Sequence, residues 1–363
     1  MRIVFLSYHY SPDIRSPEQW IERLKYYIGW SESLAEKNEV IRVDQINYTG
    51  DFRHRGIQYY FIDDGKKTNY FPSKLHRFVR DLKPDLVLVS SFQYPLQVLQ
   101  LRWWLGKKIK IIIQHHAEKP VGGIKKYFRM AAGRKADVFL FTSRQTGLNW
   151  VRKKNLVDAR KIRELVEVSS VFHPVDQKAA REKTNASGTP MYLWVGRLND
   201  NKDPLTAVNA FLSFSILHPA AKLYMIYQTG ELVPDIQKVL PAESGISPVI
   251  LVGKILHDEL IYWYNSADFY LSASHYEGSG TALSEAMSCG CIPLVTDIPS
   301  FRMMSGDSGL LFQPGNESDL LSALQQSMVI NIPEKRTKAL ARFRTELSFE
   351  AIAEKFQEII GSL

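Results

Sequence analysis

Cysteine is almost missing from these 363 residues: only Cys289 and Cys291 occur. Two cysteines one residue apart do not close a routine disulfide, and no His or further Cys stands at zinc-ligand spacing, so both are expected to be buried thiols in a reducing compartment. Long apolar runs are also lacking, since no stretch approaches the eighteen or so residues a membrane-spanning helix needs. The opening MRIVFLSYHYSP carries one Arg and a short apolar run, too brief for a signal-peptide core, and reads as a first strand. The expected location is therefore cytoplasmic. There is no low-complexity tract, no repeat of fixed period and no Asp-x-Asp pair positioned for a metal.

What is present is an ordinary globular composition, 45% hydrophobic and 23% charged, on a chain long enough for two domains. Its charge is unevenly spread. Residues 1–178 hold 32 Lys and Arg against 18 Asp and Glu, whereas residues 179–363 hold 14 against 20. Within the basic half, residues 101–163 carry 17 basic and 3 acidic side chains, interleaved with Trp103, Trp104, Tyr127, Phe128 and Trp150. That stretch is expected to face an anionic surface, as a peripheral contact on the inner face of a membrane. A plainer reading is solvated helix faces over core aromatics. No nucleic-acid module accompanies the basic stretch, so nucleic acid is not an expected partner.

RIVFLSY, VIRVDQI, IQYYFI, DLVLVSS, KIIIQ and DVFLFTS read as strands separated by helical patterns such as PSKLHRFVRDL and GIKKYFRMAAGRK. Ser16, Pro17 and Gln19 form a helix start after the first strand. The polar run DQKAAREKTNASGTP at 176–190 reads as a linker. Beyond it the alternation resumes with MYLWVG, KLYMIYQ, VILVG, FYLSAS and IPLVT, including a helix before Gly245. The expected fold class is α/β: two doubly wound parallel-sheet domains, residues 1–178 and 179–346, facing across a cleft, with an amphipathic closing helix at about 347–363 packing back on the first.

Two clusters carry chemistry. In HYEGSGTALSEAMSCG, Glu277 and Glu285 flank a Gly278-Ser279-Gly280 turn that opens a helix near Thr281, aiming backbone N–H groups at a phosphate. Glu285, one turn in, suits a ribose diol, and Glu277 suits sugar hydroxyls; an N-capped helix with acidic residues favourable to its dipole would look the same. In VGRLNDNKDP, Arg197 follows Gly196 at a strand end and Lys202 comes five residues later, two cations suited to a pyrophosphate.

In this order and separation, the stretch from VGRLNDNKDP at 195 to GNESDLLSAL at 315, with VGKILHDELIYWYNSADFYLSASHYEG within it and DSGLLFQPGN near its end, resembles the retaining GT-B glycosyltransferases of the large family four, glycosyl transferases group 1. The resemblance implies Rossmann-like domains, an acceptor-binding first and a nucleotide-sugar-binding second. It implies that Arg197 and Lys202 contact the donor diphosphate, Glu285 the ribose, Glu277 with Gly278, Ser279, Gly280 and Thr281 the donor sugar, and Lys254 with Ile255 the nucleobase. It also implies a His lining the cleft after the strand KIII. His116 is favoured, with His115 and Glu118 pointing to the same region. The first loop departs from the family's paired glycines and carries HYSPDIRSPEQW, which leaves Arg15 and Ser16 as acceptor or phosphate ligands.

The implied activity is metal-independent, cofactor-free retaining transfer of a hexosyl or N-acetylhexosaminyl group to a glycan or lipid-linked acceptor in bacterial-type cell-surface polysaccharide or glycoconjugate synthesis. His116, Arg197, Lys202 and Glu277 are its candidate catalytic residues. The competing readings are a nucleotide-sugar-binding protein without transfer and an anionic-membrane adaptor.

Overall fold

The computed structural model describes residues 1–25, 27–63, 70–241 and 247–363, which form two units: Met1–Ser169 with Phe349–Leu363, and Ser170–Ser348. Gly245, expected to close a helix, lies outside the described residues.

The strands of the first unit are β1 (Arg2–Ser11), β2 (Glu39–Ile46), β3 (Gly50–His54), β4 (Ile57–Ile62), β5 (Leu86–Ser90), β6 (Lys110–Gln114), β7 (Val138–Phe141) and β8 (Ile162–Glu164). They lie in the order β3-β4-β2-β1-β5-β6-β7-β8, and all neighbours are parallel except the β3–β4 pair. Ile3, Val4 and Phe5 run opposite Leu86, Val87 and Leu88. These runs are apolar without alternation because helices cover both faces of the sheet. The helices are α1 (Pro17–Leu24), α2 (Gly29–Ala35), α3 (Ser73–Asp81), α4 (Pro95–Leu105), α5 (Lys125–Lys135) and α6 (Arg144–Arg152). Contacts between α3 and α4 and between α4 and α5 lay these three side by side.

The second unit begins with α7 (Gln177–Thr184) and continues through β9 (Met191–Gly196), α8 (Pro204–Leu217), β10 (Lys222–Tyr227), α9 (Val233–Val239), β11 (Val249–Gly253), α10 (Leu260–Ser266), β12 (Phe269–Ser272), α11 (Thr281–Ser288), β13 (Ile292–Thr296), α12 (Pro299–Ser305), β14 (Leu310–Phe312), α13 (Glu317–Ser327) and α14 (Ile332–Arg342). Its sheet is parallel throughout, in the order β11-β10-β9-β12-β13-β14. The chain runs outward from β9 on one side and from β12 on the other, so the order reverses between them, and the loops leaving their carboxyl ends open where a doubly wound sheet binds ligands. Tyr192, Phe211, Phe214 and Phe269 fill the core behind that point.

The run at 176–190, read as a linker, is instead built into the second unit. Asp176 caps α7 by accepting from Ala179 N, and Arg181 pairs with Asp268 at 3.2 Å while donating to Ser266 O. Asn265 holds the preceding segment through His173 O and Val175 N. Charged residues looked like a solvated connector because their partners lie some ninety positions away. The division therefore falls at 169/170 rather than at 178/179.

The closing helix α15 (Phe349–Gly361) belongs to the first unit. A Cβ added to Gly29 would lie 2.5 Å from the Phe349 ring, and Phe356 meets Trp30 edge-on at 5.4 Å, as Trp30 meets Phe5 at 5.1 Å. Cys289 and Cys291 are buried and unlinked, and burial pushes the Cys289 thiol up to about 12. No helix among the described residues is long and apolar enough to cross a membrane.

Candidate active site

The loop after β9 is pinned on both sides. Leu198 exchanges backbone hydrogen bonds with Thr229 and Leu232 of the β10 loop. On the other side His275 N donates to Asn201 O at 2.8 Å, and Asn201 Nδ2 donates to Tyr276 O at 3.0 Å. Asp203 then takes a left-handed backbone and caps α8 through Thr206 N, while its other carboxylate oxygen lies 3.2 Å from His275 Nε2. These ties bring Lys202 to the loop after β12, where its Nζ forms an ion pair with Glu277 Oε1. Both side chains are mostly enclosed, 25% and 13% exposed. Arg197 leaves the same strand end and is exposed.

Beyond Glu277 the chain passes through buried Gly278 and Ser279 to Gly280, whose φ of +53° lets it turn directly into α11. Among the described residues no side chain caps that helix, which leaves the first N–H groups of α11 suited to another acceptor. Glu285 sits one turn in, 4% exposed. Its Oε1 lies 2.7 Å from His257 Nε2, and its Oε2 accepts from the Tyr264 hydroxyl at 2.9 Å. Burial and the neighbouring Glu285 carboxylate push the Tyr264 phenol far above its usual value, so it remains a donor. His257 stacks on Phe172 at 5.1 Å. Lys254 is exposed and Ile255 half-buried in the loop after β11.

The structure thus brings Lys202 and Glu277 into contact and sets Arg197, Glu277 and Glu285 on loops and a helix leaving the two strands that flank the reversal. Sequence reasoning missed His257 and Tyr264, because no local spacing links them to Glu285.

In the first unit the sequence-picked residues separate. His115 is 1% exposed, stacked on Phe141 at 4.7 Å and 2.9 Å from Glu118 O, and burial holds its pKa below 6.5. Glu118 accepts from Ser91 Oγ, Phe92 N and His116 N. Burial works against this carboxylate, but the His115 ring and those hydrogen bonds keep it below its usual range. Both residues are therefore occupied inside the unit and line no surface. His116 is different: its side chain is 41% exposed and its Nδ1 pairs with Glu167. Desolvation opposes protonation there, yet Glu167 outweighs it and the imidazole's pKa sits above 6.5. Ser16 Oγ accepts from Gln19 N, and Gln19 Oε1 accepts from Arg15 N, so the hydroxyl is committed to capping α1. A cavity of about 660 Å³ opens beyond the ends of β1, β5 and β6, and none of Arg15, Ser16, His115 and Glu118 lines it.

Two parallel-sheet α/β units, one with ionic and glycine-turned loops at its order reversal, define a GT-B fold. Residues 176–342 match the family of glycosyl transferases group 1. Among curated relatives, D-inositol 3-phosphate glycosyltransferase of Acidothermus cellulolyticus is 27% identical over 198 residues, 48% of this chain and 43% of its own length. GDP-mannose:cellobiosyl-diphosphopolyprenol alpha-mannosyltransferase of Xanthomonas campestris is 29% identical over 135 residues, 37% of this chain and 35% of its own. The matched stretch thus spans less than half the length of these relatives. Sucrose-phosphate synthase of Thermosynechococcus elongatus superposes with a TM-score of 0.71 at 18% identity, over 100% of this chain and 99% of its own.

Proposed function

We propose that the chain is a retaining glycosyltransferase that takes a nucleotide-diphosphate sugar in its second unit and passes a hexosyl or N-acetylhexosaminyl group to a glycan or lipid-linked acceptor. The observation that carries this reading is the Lys202–Glu277 pair, a cation and a carboxylate held together by two interlocked loops beside an uncapped helix start. One member suits a diphosphate and the other a sugar hydroxyl, and both needs arise in a single nucleotide sugar. The name of the Xanthomonas relative specifies a donor of this class, GDP-mannose.

In this reading Arg197, Lys202 and the first N–H groups of α11 bind the diphosphate and stabilise the charge that grows on it as the bond from the anomeric carbon to phosphate oxygen breaks. Binding exchanges Lys202's ion pair for the diphosphate and releases Glu277 to the sugar. The acceptor oxygen bonds to the anomeric carbon on the face the diphosphate leaves, and its proton passes to the departing phosphate oxygen. Glu285 takes the ribose diol on carboxylate lone pairs that His257 and Tyr264 do not use. Lys254 and Ile255 border the base. His116, the exposed member of its pair, is the candidate for the transferred sugar. The reading needs no metal, because fixed cations and backbone dipoles supply the positive charge, and it places the protein in cytoplasmic synthesis of a cell-surface polysaccharide or glycoconjugate.

A thermal-shift panel of nucleotide sugars tests the donor site. A true donor at a hundred times its Kd stabilises by about 2.7 kcal/mol. Release of nucleoside diphosphate with acceptor then separates an enzyme from a binding protein, and a panel with no shift at all would refute the reading.

A further inference from the structure

The basic half holds a surface that donor chemistry leaves unexplained. Helix α5 is turned inside out for a helix lying on a sheet. Its buried positions are Arg129, Ala132 and Gly133, while Ile124 at its start and Tyr127 and Phe128 in its first turn are 73%, 60% and 42% exposed. Tyr70 and Phe71, at 68% and 75%, join them before α3, and Gln100 Nε2 of α4 fixes that turn by donating to Tyr70 O at 2.9 Å. Tyr70 and Phe128 also line the 660 Å³ cavity, so the exposed rings form part of its rim. Its walls are largely apolar, with Tyr10, Tyr94, Leu96 and Val121 among them, and Lys125 and Arg129 are its cations. Asp and Glu are absent from that lining among the described residues.

All three carboxylates of residues 101–163 are engaged: Glu118 inside the unit, Asp137 with Arg102 at 2.5 Å and Asp158 with Arg160 at 3.0 Å. Some cations are structural, since Arg102 and Lys161 donate to backbone carbonyls and Arg129 lies over buried Trp150. Trp150 therefore belongs to the core, not to an interface. Lys125, on the rim, and Lys119 are exposed, and Lys126 is half-buried with its ammonium 5.1 Å from the Tyr127 ring. Bulky apolar side chains among cations, around a cavity with an apolar wall and a cationic end, match an anionic lipid at an interface. A water-soluble polyanion would use the cations and leave the apolar surface bare.

We propose that this face of the first unit docks on an anionic lipid bilayer, and that the cavity receives a lipid-borne acceptor with its apolar stem against Tyr94, Leu96 and Phe128 and its phosphate at Lys125. The acceptor part rests on the glycosyl-transfer reading; the docking part does not.

The full chain is sedimented with vesicles of phosphatidylcholine alone and of phosphatidylcholine with phosphatidylglycerol in equal parts, at two salt concentrations. Wild type is expected to pellet with the anionic vesicles only, less so at high salt. Ile124→Ser with Tyr127→Ser, and separately Lys119→Gln with Lys126→Gln, should each weaken this roughly tenfold while leaving the nucleotide-sugar thermal shift unchanged. Equal pelleting with neutral vesicles, undiminished binding by both variants, or capture by soluble heparin without vesicle binding would overturn the docking. Leu96→Trp, which fills the cavity, should raise KM for a detergent-dispersed lipid phosphate acceptor without changing vesicle binding. Unchanged KM removes the acceptor from the cavity. A wild type that binds vesicles and donor but transfers nothing would fail the activity instead.

Discussion

His257 Nε2 lies 2.7 Å from Glu285 Oε1, with the imidazole stacked on Phe172. The ring fixes one carboxylate oxygen while remaining 33% exposed itself. His257→Ala should therefore lower donor affinity about tenfold, yet change the melting temperature little. Titration calorimetry with the donor found in the panel, beside a thermal scan of the empty protein, checks both halves.

Glu285→Ala should do more, because it also orphans a buried donor. Tyr264 is fully enclosed and its hydroxyl has the Glu285 carboxylate as its acceptor. Losing that acceptor should destabilise the fold by about 1 to 3 kcal/mol, in addition to abolishing donor binding. Pairing it with Tyr264→Phe should recover part of the stability and none of the binding. Urea unfolding of the single and double variants reads the difference.

Lys202→Met should cut turnover about a hundredfold, the scale for losing a fixed group that stabilises growing negative charge. Glu277→Gln keeps the shape and removes the ion pair that the diphosphate must displace. Its donor Kd should hold or tighten while kcat falls. Steady-state kinetics with near-normal values for Lys202→Met would end the assignment.

Gly280 combines a left-handed backbone with a close neighbour: an added Cβ would lie 2.8 Å from Phe301 Cε1. Gly280→Ala should cost about 1 to 3 kcal/mol and tilt the start of α11 away from the donor. Adding Phe301→Leu relieves the contact but not the backbone strain, so stability should return only in part. Thermal scans with and without donor test this.

Glu167 raises the pKa of His116 above 6.5. Because the folded value exceeds the unfolded one, the pair's stabilisation is fully present below about pH 6.5 and is lost as pH rises through the folded pKa. Glu167→Gln should move the imidazole titration downward in NMR. It should also shrink the stability difference between about pH 6 and pH 8. An unmoved titration would separate the two residues.

The alternation of strands and helices was readable because parallel strands covered on both faces need continuous apolar runs such as KIIIQ and DVFLF. Arg197, Lys202, Glu277 and Glu285 were readable for a related reason: each lies within a few residues of a strand end or helix start that its own neighbours announce. His257, Tyr264 and Glu167 were not, since each matters through a partner far along the chain. The same blindness made Arg181 look solvated when it pairs with Asp268, and made Trp150 look interfacial when it is core. Composition counts side chains, but their direction is set by the packed sheet. The short edge strand β3 was passed over because GDFRH has little apolar character and needs only β4 beside it.

Helix α15 follows the whole of the second unit in the chain yet completes the first. During synthesis at about 5 to 20 residues per second, the ribosome spends on the order of ten seconds making the intervening residues before Phe356 can reach Trp30. For that interval the nascent first unit presents an unfinished apolar groove along α2, a natural point of capture by chaperones. A truncation that removes α15 should freeze the protein in that condition.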